Sequence, residues 1–211
     1  MHDAGPFSVW GAGWDVFVFQ DDENVTRNLH IAFSAASREL VDEFWRVGTS
    51  AGYRSDGEPG ERPEYNESYY GAFLLDPDGN SVEAVHHDDM ARDWTIDHMW
   101  LRVADVDRAT AFYETIARFG GYQVKRVAPD RTQFAWNPGS FSVVVGDDRT
   151  QNVHIAFPAS DNAVVDDFHE SALAAGYRDN GPPGERWYHP GYYGAFVLDP
   201  DGNNIEAVCH T

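Results

Sequence analysis

The stretch YYGAFLLDPDGN at Tyr69 to Asn80 returns as YYGAFVLDPDGN at Tyr192 to Asn203. Working outward, HIAF recurs at His30 and at His154, AGYR at Ala51 and at Ala175, and GER at Gly60 and at Gly184. Both copies close on Glu-Ala-Val-x-His, starting at Glu83 and at Glu206. His30 and His154 are 124 residues apart, and Tyr69 and Tyr192 are 123 apart, so one position is lost near Trp187. That period is too long for a solenoid and fits a duplicated small domain.

One copy can be read for local structure. Val153 to Phe157 is a short apolar run, as in a half-buried strand. Ser160 or Asp161 can cap a helix whose apolar face carries Val164, Val165, Phe168 and Ala172, with Gly176 ending it. Gly181-Pro182-Pro183-Gly184 reads as a loop. Tyr193 to Leu198 reads as a strand, Asp199-Pro200-Asp201-Gly202 as a tight turn, and Asn204 to Cys209 as a last strand. The stretch before it follows the same plan. Ile96 to Val103 is a strand, and Asp105 caps a helix with Ala109, Phe112, Tyr113 and Ile116 on one face. Gly120-Gly121 stops that helix, and strands follow at 122–127, 132–136 and 141–145. Toward the N-terminus, Phe7 to Trp10 and Val16 to Gln20 resemble strands of that motif, but no opening strand and helix precede them. The predicted fold class is therefore α+β: paired βαβββ motifs forming cupped mixed sheets, internally duplicated with a truncated first module. The predicted domains are a truncated module at 1–90 and a complete module at 94–211.

Composition narrows the function. The 211 residues carry 15 Lys+Arg against 35 Asp+Glu, a formal charge of −20, which argues against nucleic acid and anionic membranes as partners. No apolar run reaches the ~20 residues that span a bilayer, and Met1 to Gly5 shows no secretory pattern, so a cytoplasmic protein is expected. The single cysteine, Cys209, excludes a disulfide framework and a multi-thiolate zinc site, and its apolar neighbour Val208 gives no sign of an activated thiolate.

Strand alternation selects the candidate chemistry. His98 and Trp100 share a face of their strand, His154 lies opposite Val153 and Ile155, and Glu206 lies opposite Ile205 and Ala207. If the motifs 95–147 and 152–210 pair, His98, His154 and Glu206 face one cavity as a three-ligand site for a divalent metal, with positions left open for substrate and water. Taken singly, each is equally explained as a hydrogen-bonded structural residue. A second arrangement pairs 30–87 with 95–147 and yields His98, His30 and Glu83, leaving His154 and Glu206 in need of a partner that a homodimer could supply. The short link 146–151 favours the first arrangement. Tyr188, His189, Tyr192 and Tyr193 lie close in sequence to the metal-bearing strands; His189, Tyr188 and Tyr193 are the candidate catalytic residues, with His189 as an acid or base. Arg62 and Arg186 are candidates for a substrate carboxylate or for ion pairs with Glu61 and Glu185. His87 and His210 are expected to be exposed.

IDHMWLRV at 96–103, NVHIAF at 152–157 and AFVLDPDGNNIE at 195–206 resemble the vicinal oxygen chelate superfamily, which includes glyoxalases, bleomycin-resistance proteins and extradiol dioxygenases. The resemblance covers 95–210 fully and 7–87 as a partial copy. It implies paired βαβββ units and, residue by residue, His98, His154 and Glu206 as ligands of one divalent ion: Fe, Zn, Ni, Co or Mn. Two positions depart from the family's patterns. Glyoxalase-type members add a carboxylate from the strand corresponding to Phe141 to Val145, which has none. Extradiol dioxygenases place a tyrosine ten residues before the ligand glutamate, where this sequence has Phe196. The resemblance implies a metalloenzyme with lyase/isomerase-like or dioxygenase-like chemistry on a small oxygen-bearing substrate. The alternative is a non-catalytic drug- or metabolite-binding resistance protein.

Overall fold

The computed structural model describes residues 2–3, 7–12, 15–20, 23–88, 96–135 and 139–210, with the backbone alone described for 2–20 and at 117, 118 and 120. Among them are fifteen strands and three helices, so strands dominate as the repeat predicts. The chain forms two compact units, 1–101 with 137–141, and 102–136 with 142–211. No helix among the described residues is long and apolar enough to cross a membrane.

The first unit begins with β1 (His2–Asp3), β2 (Phe7–Ala12) and β3 (Asp15–Gln20), an antiparallel sheet in that order. There follow β4 (His30–Ser34), α1 (Arg38–Ser50), β5 (Arg54–Glu61), β6 (Tyr70–Leu75), β7 (Ser81–His86) and the start of β8 (Ile96–Val103). These strands lie in the order β5-β6-β7-β4-β8. β4 runs parallel to β7 and antiparallel to β8. A parallel pair needs a crossover, and α1 provides it. Its Val41 is fully buried with Ala35, Ala72 and Ala84, against Phe44, Trp45 and Tyr70.

The second unit takes up the end of β8 and adds α2 (Val106–Gly120), β9 (Gln123–Ala128), β10 (Arg131–Ala135) and β11 (Ser140–Val145). It then repeats the plan with β12 (His154–Pro158), α3 (Asn162–Ala174), β13 (Arg178–Glu185), β14 (Tyr192–Leu198) and β15 (Asn204–His210). The caps fall where the sequence puts them: Asp105 Oδ1 accepts from the amides of Asp107 and Arg108, and Asp161 Oδ1 from Val164. Phe112, Phe134, Phe168, Val197 and Ile205 make its core. The register is duplicated as well: Ala32 opposes Glu83 between β4 and β7, and Ala156 opposes Glu206 between β12 and β15. In both copies the DPDG turn is locked by its first aspartate, which accepts the amides two and four residues on, while Gly79 and Gly202 take φ of +88° and +94°.

Two expectations are corrected. Gly181-Pro182-Pro183-Gly184 is not a loop but the middle of β13. β13 ends its sheet order, and its register against β14 shifts around Gly181, so the missing proline N–H groups fall on a bulged edge strand. The pairing also differs, because β4 of the motif 30–87 lies beside β8. The segment 88–95 is nearly as short as 146–151, and closure entropy grows only slowly with loop length, so contiguity could not choose between the arrangements.

Candidate metal centre

His30 opens β4, Glu83 sits mid-β7 and His98 sits on β8, and this strand order brings them together. His30 Nε2 lies 3.1 Å from Glu83 Oε2, His98 Nε2 lies 3.5 Å from the same oxygen, and the two nitrogens are 3.3 Å apart. Among the described residues this is the group of three side chains fit to hold a metal ion. Glu83 is 1% exposed, and its Oε2 accepts no hydrogen bond.

The surrounding hydrogen bonds explain why. Ser81 Oγ donates to Asp56 Oδ2 at 2.8 Å, which leaves its oxygen free to accept from Nδ1 of His30 at 3.3 Å. Asp97 Oδ1 accepts from Nδ1 of His98 at 2.8 Å. A neutral imidazole with its proton on Nδ1 presents a lone pair at Nε2. Glu83 Oε1 is occupied by the Tyr69 hydroxyl, which donates at 2.6 Å. Burial first, and the neighbouring Glu83 second, push the Tyr69 phenol far above its ordinary range, so it keeps its proton and stays a donor. Two imidazole nitrogens and one carboxylate oxygen thus converge, and with both imidazoles neutral the nitrogens present lone pairs to the same point. Such a set fits a divalent cation: bonds of about 2.1 Å at tetrahedral or octahedral angles separate ligand atoms by about 3.0–3.4 Å, close to the spacing found here.

Aromatic rings wall the group. Phe73 and Trp100 lie 5.9 and 5.8 Å from the His30 ring, and Tyr65 packs edge-on against Trp100 at 6.1 Å. Room for the Glu83 carboxylate depends on Gly71, where a Cβ would collide with Oε1.

The other sequence candidates fall elsewhere. His98 does not share its group with His154 and Glu206; those two lie in the second unit and bond to each other, Nε2 to Oε2 at 2.9 Å. Glu206 is fully buried, and its Oε1 accepts from Tyr192 at 2.8 Å, as Glu83 does from Tyr69. His154, however, is 47% exposed against 12% for His30, because β12 ends its sheet order while β4 is flanked by β8. Tyr193 points to the helix side and donates to Asp166, as alternation requires once Tyr192 faces the carboxylate. Tyr188 is about half exposed against Trp187 and Tyr192, and His189 pairs with His210 at the surface at 3.1 Å. Neither arginine forms an ion pair with its neighbouring glutamate side chain, one of the two roles the sequence leaves open: Arg62 donates to the carbonyls of Glu58 and Glu61, Arg186 to those of Pro182 and Glu185, and each lies over a phenylalanine ring. His87 is not exposed; it is 15% accessible and bonds to Asp97. Sequence reasoning passed over Tyr69, Ser81 and Asp97, and read His87 only as an exposed residue. The signal for Tyr69 was its place two residues before Gly71 on the face of Phe73, which opposes Glu83.

The Glyoxalase/Bleomycin resistance protein/Dioxygenase superfamily matches residues 95–207. An uncharacterised protein from Pseudomonas aeruginosa is 34% identical over 125 residues, 53% of this chain and 86% of that protein. A glyoxalase I mutant from Zea mays superposes with a TM-score of 0.66 at 19% identity, over 97% of this chain and 80% of that one. A putative dioxygenase from Bacillus subtilis gives 0.66 at 14%, over 94% and 69%. The two structural matches share the fold, and the family match spans more than half of the sequence. The chain belongs to the Glyoxalase/Bleomycin resistance protein/Dioxygenase superfamily.

Proposed function

We propose that this protein is a divalent-metal enzyme whose centre is His30, Glu83 and His98, and that it acts on a small substrate through two neighbouring oxygens. The observation that carries the reading is the convergence of His30 Nε2, His98 Nε2 and the buried Glu83 Oε2 within 3.5 Å of one another. A bound divalent ion supplies a Lewis acid that steadies negative charge developing on a substrate oxygen. The protein's own groups do the rest. Ser81 and Asp97 hold the two imidazoles with their protons turned away from the centre. Tyr69 keeps its proton and pins one carboxylate oxygen, leaving the other for the centre. Phe73, Trp100 and Tyr65 give the site an aromatic rim suited to a compact, partly apolar substrate. Three protein ligands leave positions open for substrate, which suits lyase/isomerase-like or dioxygenase-like chemistry. The ion belongs to the group Fe, Zn, Ni, Co and Mn, all of which accept imidazole and carboxylate.

The test is metal titration of the whole chain and of two variants. Wild type and His154→Ala bind one tightly held ion, whereas His30→Ala loses it. Loss in His154→Ala with retention in His30→Ala refutes the assignment.

A further inference from the structure

Asp97 precedes a proposed ligand on the same strand, and in a regular strand its side chain would face the other way. The β4–β8 register shows why it does not. Trp100 opposes His30, Met99 opposes Ile31 and His98 opposes Ala32, but Phe33 then opposes Ile96. Asp97 is the extra residue of a β-bulge, the device that re-aims a side chain beside a site. Re-aimed, it accepts Nδ1 of His98 on Oδ1 at 2.8 Å and Nε2 of His87 on Oδ2 at 2.9 Å. His87 in turn stacks flat on Tyr69, with centroids 5.9 Å apart and planes 8° from parallel, and Tyr69 bonds to Glu83. One chain of contacts therefore ties ligand His98 to ligand Glu83 through Asp97, His87 and Tyr69. The second unit keeps the tyrosine and the terminal histidine, as Tyr192 and His210. There the histidine bonds to surface His189 and not to a carboxylate.

We propose that Asp97, turned inward by the bulge and braced by His87, is a positioning residue that fixes the tautomer and aim of His98 and thereby sets the metal affinity of the centre. This rests on the reading of His30, Glu83 and His98 as a metal centre. A carboxylate on the far nitrogen of a ligating imidazole also raises its basicity, and losing such a partner typically weakens binding about 10–100-fold.

The experiment is competitive titration with Co(II), read by its ligand-field absorption, on full-length wild type, Asp97→Ala, Asp97→Asn and His87→Gln. Asp97→Ala lowers Co(II) affinity about 10–100-fold and alters the spectrum. Asp97→Asn, which still accepts from His98 but without charge, recovers part of that loss, and His87→Gln gives a smaller loss than Asp97→Ala. If Asp97→Ala binds Co(II) with wild-type affinity and spectrum, Asp97 merely braces the strand and the proposal falls. Should Asp97→Ala not fold, Asp97→Asn decides alone: weakened binding supports the proposal and unchanged binding overturns it. Wild type that takes up no Co(II) would instead sink the metal reading, and this inference with it.

Discussion

Glu83→Gln should be more stable than wild type without metal and less stable than wild type with it. In the metal-free state, at a pH where both imidazoles are neutral, a buried acceptor, Glu83 Oε2, faces the Nε2 atoms of His30 and His98 at 3.1 and 3.5 Å without a proton to share. A buried acceptor left without a hydrogen bond costs about 1–3 kcal/mol. A glutamine amide turned toward the imidazoles donates across that gap, while its carbonyl keeps the hydroxyl of Tyr69. Metal-free Glu83→Gln is therefore expected to be about 1–3 kcal/mol more stable than wild type. At about 2–4 °C per kcal/mol for a chain of this size, its Tm rises by roughly 2–12 °C. With metal the order inverts. An ion present at about 1,000 times its Kd stabilises wild type by about 4 kcal/mol, and the variant, lacking the carboxylate, gains little. Calorimetry of both proteins with chelator and with excess metal measures all four states. A metal-free variant that melts at or below wild type would refute the picture of converging lone pairs, and equal metal-induced shifts would refute Glu83 as a ligand.

Two further outcomes follow from the second unit. Tyr113 is fully buried and donates to Asp199 Oδ2 at 3.1 Å, so Tyr113→Phe should cost about 1–3 kcal/mol, read as a lower Tm. Burial first, and the adjoining His189 second, hold the His210 imidazole below its ordinary range. The unfolded chain therefore takes up that proton at higher pH than the folded one, so this residue's contribution to stability falls as pH drops below about 6.5. An NMR titration should place the His210 midpoint below the ordinary histidine value, and His189→Gln should move it upward; a midpoint at or above that value contradicts the packing.

What the sequence discloses and what it conceals divide along a physical line. Features set by neighbours along the chain are legible: the Asp105 and Asp161 caps, the DPDG turn, and alternation placing Glu83 and Glu206 opposite apolar residues. The repeat carries these from one copy to the other, which is why His30 and Glu83 can be named as a ligand pair before any strand is paired. Features set by the partner strand are hidden. Glycine and proline in β13 read as breakers because nothing local marks a sheet edge, where a lost N–H does no harm. Which motif lies beside β8 depends on packing of whole sheets, and the short links on both sides of the motif 95–147 are equally permissive.

The bulge at Asp97 is the sharpest case of this divide, because it breaks the alternation by which His98 is assigned a face. Period-two alternation puts His98 and Trp100 on one face and, applied one residue earlier, sends Asp97 to the wrong face. The extra residue exists only relative to β4: Ala32 opposes His98 and Phe33 opposes Ile96, a statement about two strands and not one. A strict reading of β8 alone yields a ligand without its hydrogen-bond partner, and a lone strand histidine is most simply structural. The partner appears once the sheet is assembled, together with His87, which its sequence position at the end of a strand had marked as solvent-exposed. Local pattern thus locates the atoms that would touch a metal, while inter-strand register supplies the atoms that orient them.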